Sequence, residues 1–185
     1  MIRYRPVTSF LESGLILASV ELPEYRRDAD QQVIFSSTSF DWLVVVSQEC
    51  DLQRDRDDRE AQRRDPRFVK ESNLLRVVLV CPAFRFDSVA SGTYLPGAKR
   101  WGGTEQKILQ KDGDARYHRL LGLEGKFGDL LLDFRLLSAA HPTYLGAWMS
   151  AHAESAVAVL EPPFRDRLIQ RFVGYLGRIP EPEEG

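Results

Sequence analysis

"WLVVVSQECDL", residues 42–52, is the stretch on which the fold turns. Trp42 to Val46 are apolar on both faces, the pattern of a strand in the middle of a sheet or barrel. They run directly into Ser47, Gln48, Glu49, Cys50 and Asp51. If the strand stays regular to Asp51, Gln48 and Cys50 share one face, and Ser47, Glu49 and Asp51 the other. The plain reading is that the strand leaves the core here. Cys50 then packs as a small hydrophobe, Asp51 caps the following turn, and Ser47 and Gln48 bond a neighbouring strand or loop.

Other apolar runs lie on either side. "GLILASVEL" (14–22) alternates and stops at Pro23, which reads as a first strand. A short strand follows around Val33 to Phe35. "LLRVVLVCPAF" (74–84) is a strong strand ended by Pro82. "ARYHRLLG" (115–122) reads as a strand with Tyr117 and Arg119 on one face and Arg116 and His118 on the other. "DLLLDFRLLSA" (129–139) is a further strand, interrupted by Asp133 and Arg135. "TEQKILQKD" reads as a short helix capped by Thr104. "HPTYLGAW" reads as an extended or turn segment, and "MSAHAESAVAVL" as helix-like. Phe164, Leu168, Phe172 and Tyr175 share one helical face, so residues 163–177 read as an amphipathic helix between prolines.

Between the second and third strong strands, residues 53–71 hold seven basic and six acidic side chains and almost nothing apolar before Phe68. They read as a charged insertion, a solvated loop or exposed helix without core contacts. Deletion of residues 53–67 within it is expected to leave the thermal midpoint nearly unchanged. The resulting expectation is one domain over 1–185, mainly β with α. It is a curled, mostly antiparallel barrel with a helical C-terminal extension over 150–179 and a flexible tail over 180–185.

The bulk composition narrows the function classes. The 185 residues are 43% hydrophobic and 28% charged, with a net charge of -2. No global field favours nucleic acid, so such a role needs a local basic patch. Two cysteines, Cys50 and Cys81, are too few for a disulfide framework and suit reduced thiols. The N-terminus has no apolar signal-peptide region, and no run is long enough to span a membrane. A cytoplasmic protein without membrane contact is expected, and no cofactor is called for.

Three sets of residues carry candidate chemistry. Cys50 as nucleophile, His118 as base and Asp133 or Asp51 as orienter would make a hydrolase. Cys50, Cys81 and His118, with Asp51, lack the CxxC or HxxxH spacing of a metal site, so no metal is expected. Without catalysis, Asp133 on a core strand needs a buried arginine, and Ser47, Gln48, Asp133 and Arg135 form a structural polar network. The third set is a basic and aromatic strip: Lys99, Arg100, Trp101, Lys107, Lys111, Arg116, Tyr117, His118 and Arg119. It suits single-stranded RNA or DNA through phosphate contact and base stacking.

The order of these pieces resembles a bacterial family of small SH3-like barrels. "GLILASVELP" (14–23) is similar to its N-terminal strand, and Ser47, Gln48, Cys50, Asp51 and Leu52 to its "SQxCDL" strand end. Asp133, Phe134 and Arg135 match a "DFR" strand, and Pro162 to Ile179 a closing helix. The resemblance spans most of the chain outside the charged insertion. That barrel is similar to the PemK/MazF toxin fold, whose members cut RNA and whose relatives lie beside bacterial conflict and phage-defence genes. Gly14 is followed by Leu15, where such toxins usually carry an acid. The resemblance implies an accessory or binding module of a toxin–antitoxin or phage-defence system, contacting nucleic acid or a protein partner encoded nearby. It also implies an alternative, a metal-independent endoribonuclease in which Arg116, His118 or Arg119 handles phosphate and proton transfer.

Overall fold

The computed structural model describes residues 4–27, 32–65, 67 and 74–178. Eight strands form one sheet: β1 (Tyr4–Arg5), β2 (Leu15–Arg27), β3 (Val33–Val45), β4 (Val78–Arg85), β5 (Tyr117–Leu120), β6 (Leu130–Asp133), β7 (Ser138–Ala140) and β8 (Ala156–Leu160). The spatial order is β1-β8-β2-β3-β4-β6-β5, with β7 also on β4, and every pairing is antiparallel. The sheet curls strongly. The Tyr4 hydroxyl on one outer strand donates to the Leu121 carbonyl just past the other, and its ring meets Phe127 edge-on at 5.5 Å. Five α-helices are described: α1 (Glu49–Arg64), α2 (Phe86–Ser91), α3 (Gly103–Gln110), α4 (Pro142–Ala151) and α5 (Phe164–Leu176).

Alternation along β2 and β3 separates two cores, because successive side chains point to opposite faces. Leu15, Leu17, Leu43 and Val45 pack on one side under Leu52 of α1 and Leu145 and Met149 of α4. Ile16, Val44 and Val46 pack on the other with Leu120, Leu130 and Leu132, under Leu168 and Phe172 of α5. The two-sided apolar run of the opening stretch is thus a central strand, as its pattern predicts. Gly14 starts β2 at φ +75°, and a Cβ there would lie 3.0 Å from the Leu160 side chain. Only glycine allows β8 to close against β2 at that point.

The structure redraws several expected boundaries. The strand of the opening stretch ends at Val45, and a helix begins at Glu49. The short strand near Val33 and the strand from Trp42 are one element of 13 residues. β2 continues past Pro23, whose ring sits in a two-stranded region with one unpaired edge. β4 continues past Pro82, which falls between the β7 pairing at Val78–Val80 and the β6 pairing at Ala83–Arg85. The 129–139 run is two strands separated by a 3-10 turn at Phe134–Leu136.

The segment expected as a turn before Trp148 is helix α4, started by Pro142 and by His141, whose Nδ1 accepts the Thr143 N–H at 3.2 Å. Ala156–Leu160, expected to be helical, is strand β8, which lies between β1 and β2. The C-terminal part is therefore integral to the sheet and not a helical extension. The tail at 180–185 lies outside the described residues. Helix is a larger share than the mainly-β expectation allows, so the fold is mixed α and β.

The charged segment is not free of the core. α1 buries Leu52 and Asp55. Asp55 accepts the Leu75 N–H at 2.7 Å and Arg59 Nε at 2.7 Å, and Arg59 donates back to the Leu75 carbonyl at 3.0 Å. This ties the helix to the chain entering β4. Residues 66 and 68–71 of the insertion lie outside the described residues. Leu52→Ala should lower unfolding free energy by about 2–4 kcal/mol, since a buried leucine leaves a cavity. Chemical denaturation measures this, and a loss within experimental error would mean the helix packs loosely.

Candidate functional site

Strand β5 places its side chains on two sides. Tyr117 enters a small cluster with Phe86, Val89 and Leu109, while Leu120 enters the α5-side core. His118 lies between β5 and α5 and is 4% exposed. Its Nδ1 is buried without a hydrogen-bond partner among the described residues. Asp112 Oδ2 lies 3.8 Å from that nitrogen.

Asp112 follows α3 in the left-handed region, at φ +54°, a conformation that aspartate tolerates better than most residues. Its Oδ1 accepts the Arg119 N–H at 2.8 Å, and its Oδ2 accepts from Arg167 of α5 at 3.1 Å. Arg171, one turn later, donates to the carbonyls of Asp114 and Tyr117 at 2.8 and 2.7 Å. Burial pushes the His118 pKa down to about 4; Asp112 opposes the shift, and Arg171 and Arg167 add to it. The ring is therefore neutral at pH 7.

A pocket of about 310 Å³ opens over this group. It is lined by charged Lys111, Asp112 and Arg167 and by apolar Leu120, Leu160 and Phe164, with His118 and Arg119. Of its cations, Arg119 is held by Asp129 and by the Gln110 carbonyl at 3.1 Å. Lys111 has no ion-pair partner among the described residues and is exposed. The pocket thus offers half-buried Phe164 and cations at the rim, with fully buried Leu120 and Leu160 and the unsatisfied, buried ring nitrogen of His118 behind them.

Beside it lies a polar network that is structural. Asp133 is fully buried. Arg116 grips both carboxylate oxygens, with Nε 2.7 Å from Oδ1. Tyr94 OH donates to Oδ2 at 3.1 Å and the Arg135 N–H to Oδ1 at 3.1 Å. The arginine that Asp133 requires is Arg116, half-buried and not fully buried as expected, and its guanidinium also lies 4.6 Å over the Tyr117 ring. Arg135 itself is half-exposed, with Nε 3.6 Å from Asp133. Cys81 is buried against the Asp133 carbonyl, and burial together with the Asp133 charge pushes its thiol well above the ordinary range.

The Ser47–Leu52 motif builds a strand-to-helix joint. Ser47 Oγ accepts the Leu79 N–H at 2.8 Å, the expected bond to a neighbouring strand. Gln48 occupies the N-cap position. Glu49, not singled out by sequence, accepts the Ser13 N–H at 2.8 Å and lies 3.7 Å from Arg165. Cys50 and Asp51 are exposed on the first turn of α1, so Cys50 does not pack as the small hydrophobe expected, and Asp51 stands within the helix and does not cap a turn. Among the described residues the Cys50 thiol bonds Gln48 and Asp51, at 3.7 and 3.9 Å. The expected triad is not assembled: the acid beside His118 is Asp112, and Asp133 is engaged by Arg116.

The basic strip is broken up by intrachain pairing. Lys99 pairs with Glu105, Arg116 with Asp133 and Arg119 with Asp129. Tyr117 is buried, and half-buried Trp101 packs edge-on against it at 5.5 Å, so neither ring is an open stacking platform. Arg100, Lys107 and Lys111 remain exposed, and only Lys111 reaches the pocket. Sequence reading found His118, Arg119 and Lys111 but missed Asp112 and Arg167. Their signals, an acid in the "KDGD" turn and the basic face of α5, mean nothing until the fold brings them together.

No family model, no curated protein and no solved structure matches the chain, so the chemistry of this pocket rests on its own geometry.

A neutral buried histidine has a pH signature. Its folded pKa lies below the ordinary 6.5, so the unfolded chain binds the extra proton first as pH falls. The stability tied to neutral His118 is complete above about pH 6.5 and is lost towards pH 4. In thermal melts, His118→Gln should abolish on the order of 2–3 kcal/mol of that acid-side loss. An unchanged pH profile would place the ring in an environment that already accommodates its charge.

Proposed function

We propose that this chain is a binding module that seats one unstacked nucleotide of single-stranded RNA or DNA in the pocket over His118. The observation that carries the reading is the buried, unpartnered Nδ1 of His118 in a pocket rimmed by Lys111 and Arg167. A base would rest on half-buried Phe164, and its hydrogen-bonding edge would satisfy the imidazole once Arg167 and Asp112 move aside to open the buried nitrogen. The phosphate would lie against the cations at the rim. The volume suits one nucleotide and excludes a duplex.

The bacterial toxin–antitoxin or phage-defence setting, the SH3-like PemK/MazF likeness and a cytoplasmic location belong to the same proposal. The strongly curled antiparallel sheet supports that likeness. Among the described residues no helix is long and apolar enough to cross a membrane. A nearby-encoded protein partner would then be recruited through another face.

One observation favours RNA cleavage as a second reading. The neutral imidazole has an unpartnered nitrogen 3.8 Å from a carboxylate; burial holds it a weaker base than a free histidine, so cleavage through it would be slow. It would remove the 2′-hydroxyl proton, the 2′-oxygen would attack phosphorus, and the 5′-oxygen would leave with a proton from water. The products are a 2′,3′-cyclic phosphate and a 5′-hydroxyl. A single 2′-deoxy substitution would block this chemistry without blocking binding.

Fluorescence anisotropy with labelled single-stranded oligonucleotides tests the main reading. Lys111→Glu should weaken binding about tenfold and flatten its salt dependence. Lys107→Glu, on the exposed face of α3, should leave it within about twofold. Absence of binding at low salt, or equal losses in both variants, would contradict a pocket-centred interface.

A further inference from the structure

α1 and α4 cover the core on the side of the sheet away from α5, and a groove of about 690 Å³ runs between them. Arg59 ties the two walls together. Asp55 holds its Nε at 2.7 Å, and it donates to Thr143 Oγ1 of α4 at 3.4 Å. Phe10, 41% exposed, also lines the groove. The α4 wall presents Gly146, Ala147 and Ser150, and no residue of α4 is charged. The α1 wall presents Arg56, Arg59 and Arg63, spaced three or four apart and therefore on one helical face.

The charges along this groove do not cancel. Of its two acids, Asp55 is taken by Arg59 and Glu60 by Arg64. Arg56 and Arg63 form no salt bridge among the described residues. Arg56 is nonetheless fixed in place: it donates to the Gln53 side chain, and its guanidinium lies 4.7 Å over the Phe10 ring. Glu12, the acid that feels its charge, is already bound by Arg5 and Thr8. Two guanidiniums two helical turns apart, about 10 Å, thus line the groove without counter-charges.

We propose that the groove seats an acidic amphipathic helix of a protein partner. Its carboxylates, two turns apart, meet Arg56 and Arg63, and an apolar side chain between them meets Phe10 and Ala147. Both walls are helices, whose backbone groups bond within themselves, so an extended segment would find no main-chain partners here. An occupant has to satisfy its own backbone, which a helix does. The charge pattern also selects carboxylates over a polyphosphate. α1 carries six acids and five arginines, so a continuous polyanion laid along it meets repulsion, whereas single carboxylates match single arginines, each bidentately. The uncharged α4 wall adds no competing ion and no long side chain in the way.

Selection of helical peptides of about 20 residues from a displayed library against the full chain tests this, with fluorescence anisotropy of the enriched peptides. They should carry acid pairs seven residues apart beside an apolar residue. Arg63→Glu should weaken their binding about tenfold, and peptides with lysine in place of those acids should regain it. Ala147→Trp, at an exposed position, should block the groove with an unchanged melting temperature. Arg54→Glu, exposed on the opposite face of α1, should bind as the wild type does. Oligonucleotide binding, which reports on the His118 pocket across the sheet, should be indifferent to all three variants. An unenriched library, enriched peptides without paired acids, equal losses in Arg54→Glu, or oligonucleotide binding lost in Arg63→Glu would each overturn the proposal.

Discussion

The carboxylate of Asp133 is fully buried, and the geometry around it follows from that fact. A charge taken out of water must be paired and hydrogen-bonded, because breaking such a pair costs several kcal/mol. Arg116, Tyr94 and the Arg135 N–H supply the partners. These groups come from the start of β5, the loop after α2 and the turn after β6. The bonds therefore lock β5 on β6 in the register that pairs Tyr117 with Asp133 and His118 with Leu132. His118 stands two residues from Arg116, so the same network sets where the imidazole lies. Arg171 completes the placement by gripping the Tyr117 carbonyl from α5.

The second constraint is a sheet buried on both faces. β2, β3 and β4 send alternate side chains into two cores, and each core needs its own cover. α1 and α4 close one, and α5 closes the other. The charged face of α1 is solvated, but Leu52 and the Asp55 contacts make it part of the structure. The pocket forms where the α5 cover meets the α3–β5 turn, and Asp112 bridges the two through Arg119 and Arg167.

What was legible in the sequence follows the range of the interactions. The two-sided run at Leu43–Val45, the strand at Tyr117–Leu120 and the helix at Phe164–Leu176 are periodic patterns within one element, and each emerges where expected. The demand that Asp133 find an arginine was also legible, since it follows from burial alone. The strand-to-helix joint at Gln48 was not, because its side chain makes no capping bond. α1 announces itself by an acidic first turn, Glu49 and Asp51, and a basic last turn, Arg63 and Arg64, and not by an apolar stripe. "AVAVL" at 156–160 follows an alanine-rich stretch that reads as helix, and only the open edge of β2 makes it a strand. Asp112 and Arg167 are 55 residues apart, so no spacing rule joins them to His118.

The central claim is that the His118 ring nitrogen is a ligand contact. The chain has three histidines, His118, His141 and His152, so the ring nitrogens can be assigned and followed separately by nitrogen-15 NMR. Titration with a short single-stranded oligonucleotide should move the His118 resonances saturably and leave those of His141 and His152 in place. Saturable binding of the oligonucleotide with the His118 nitrogens unmoved would contradict the account.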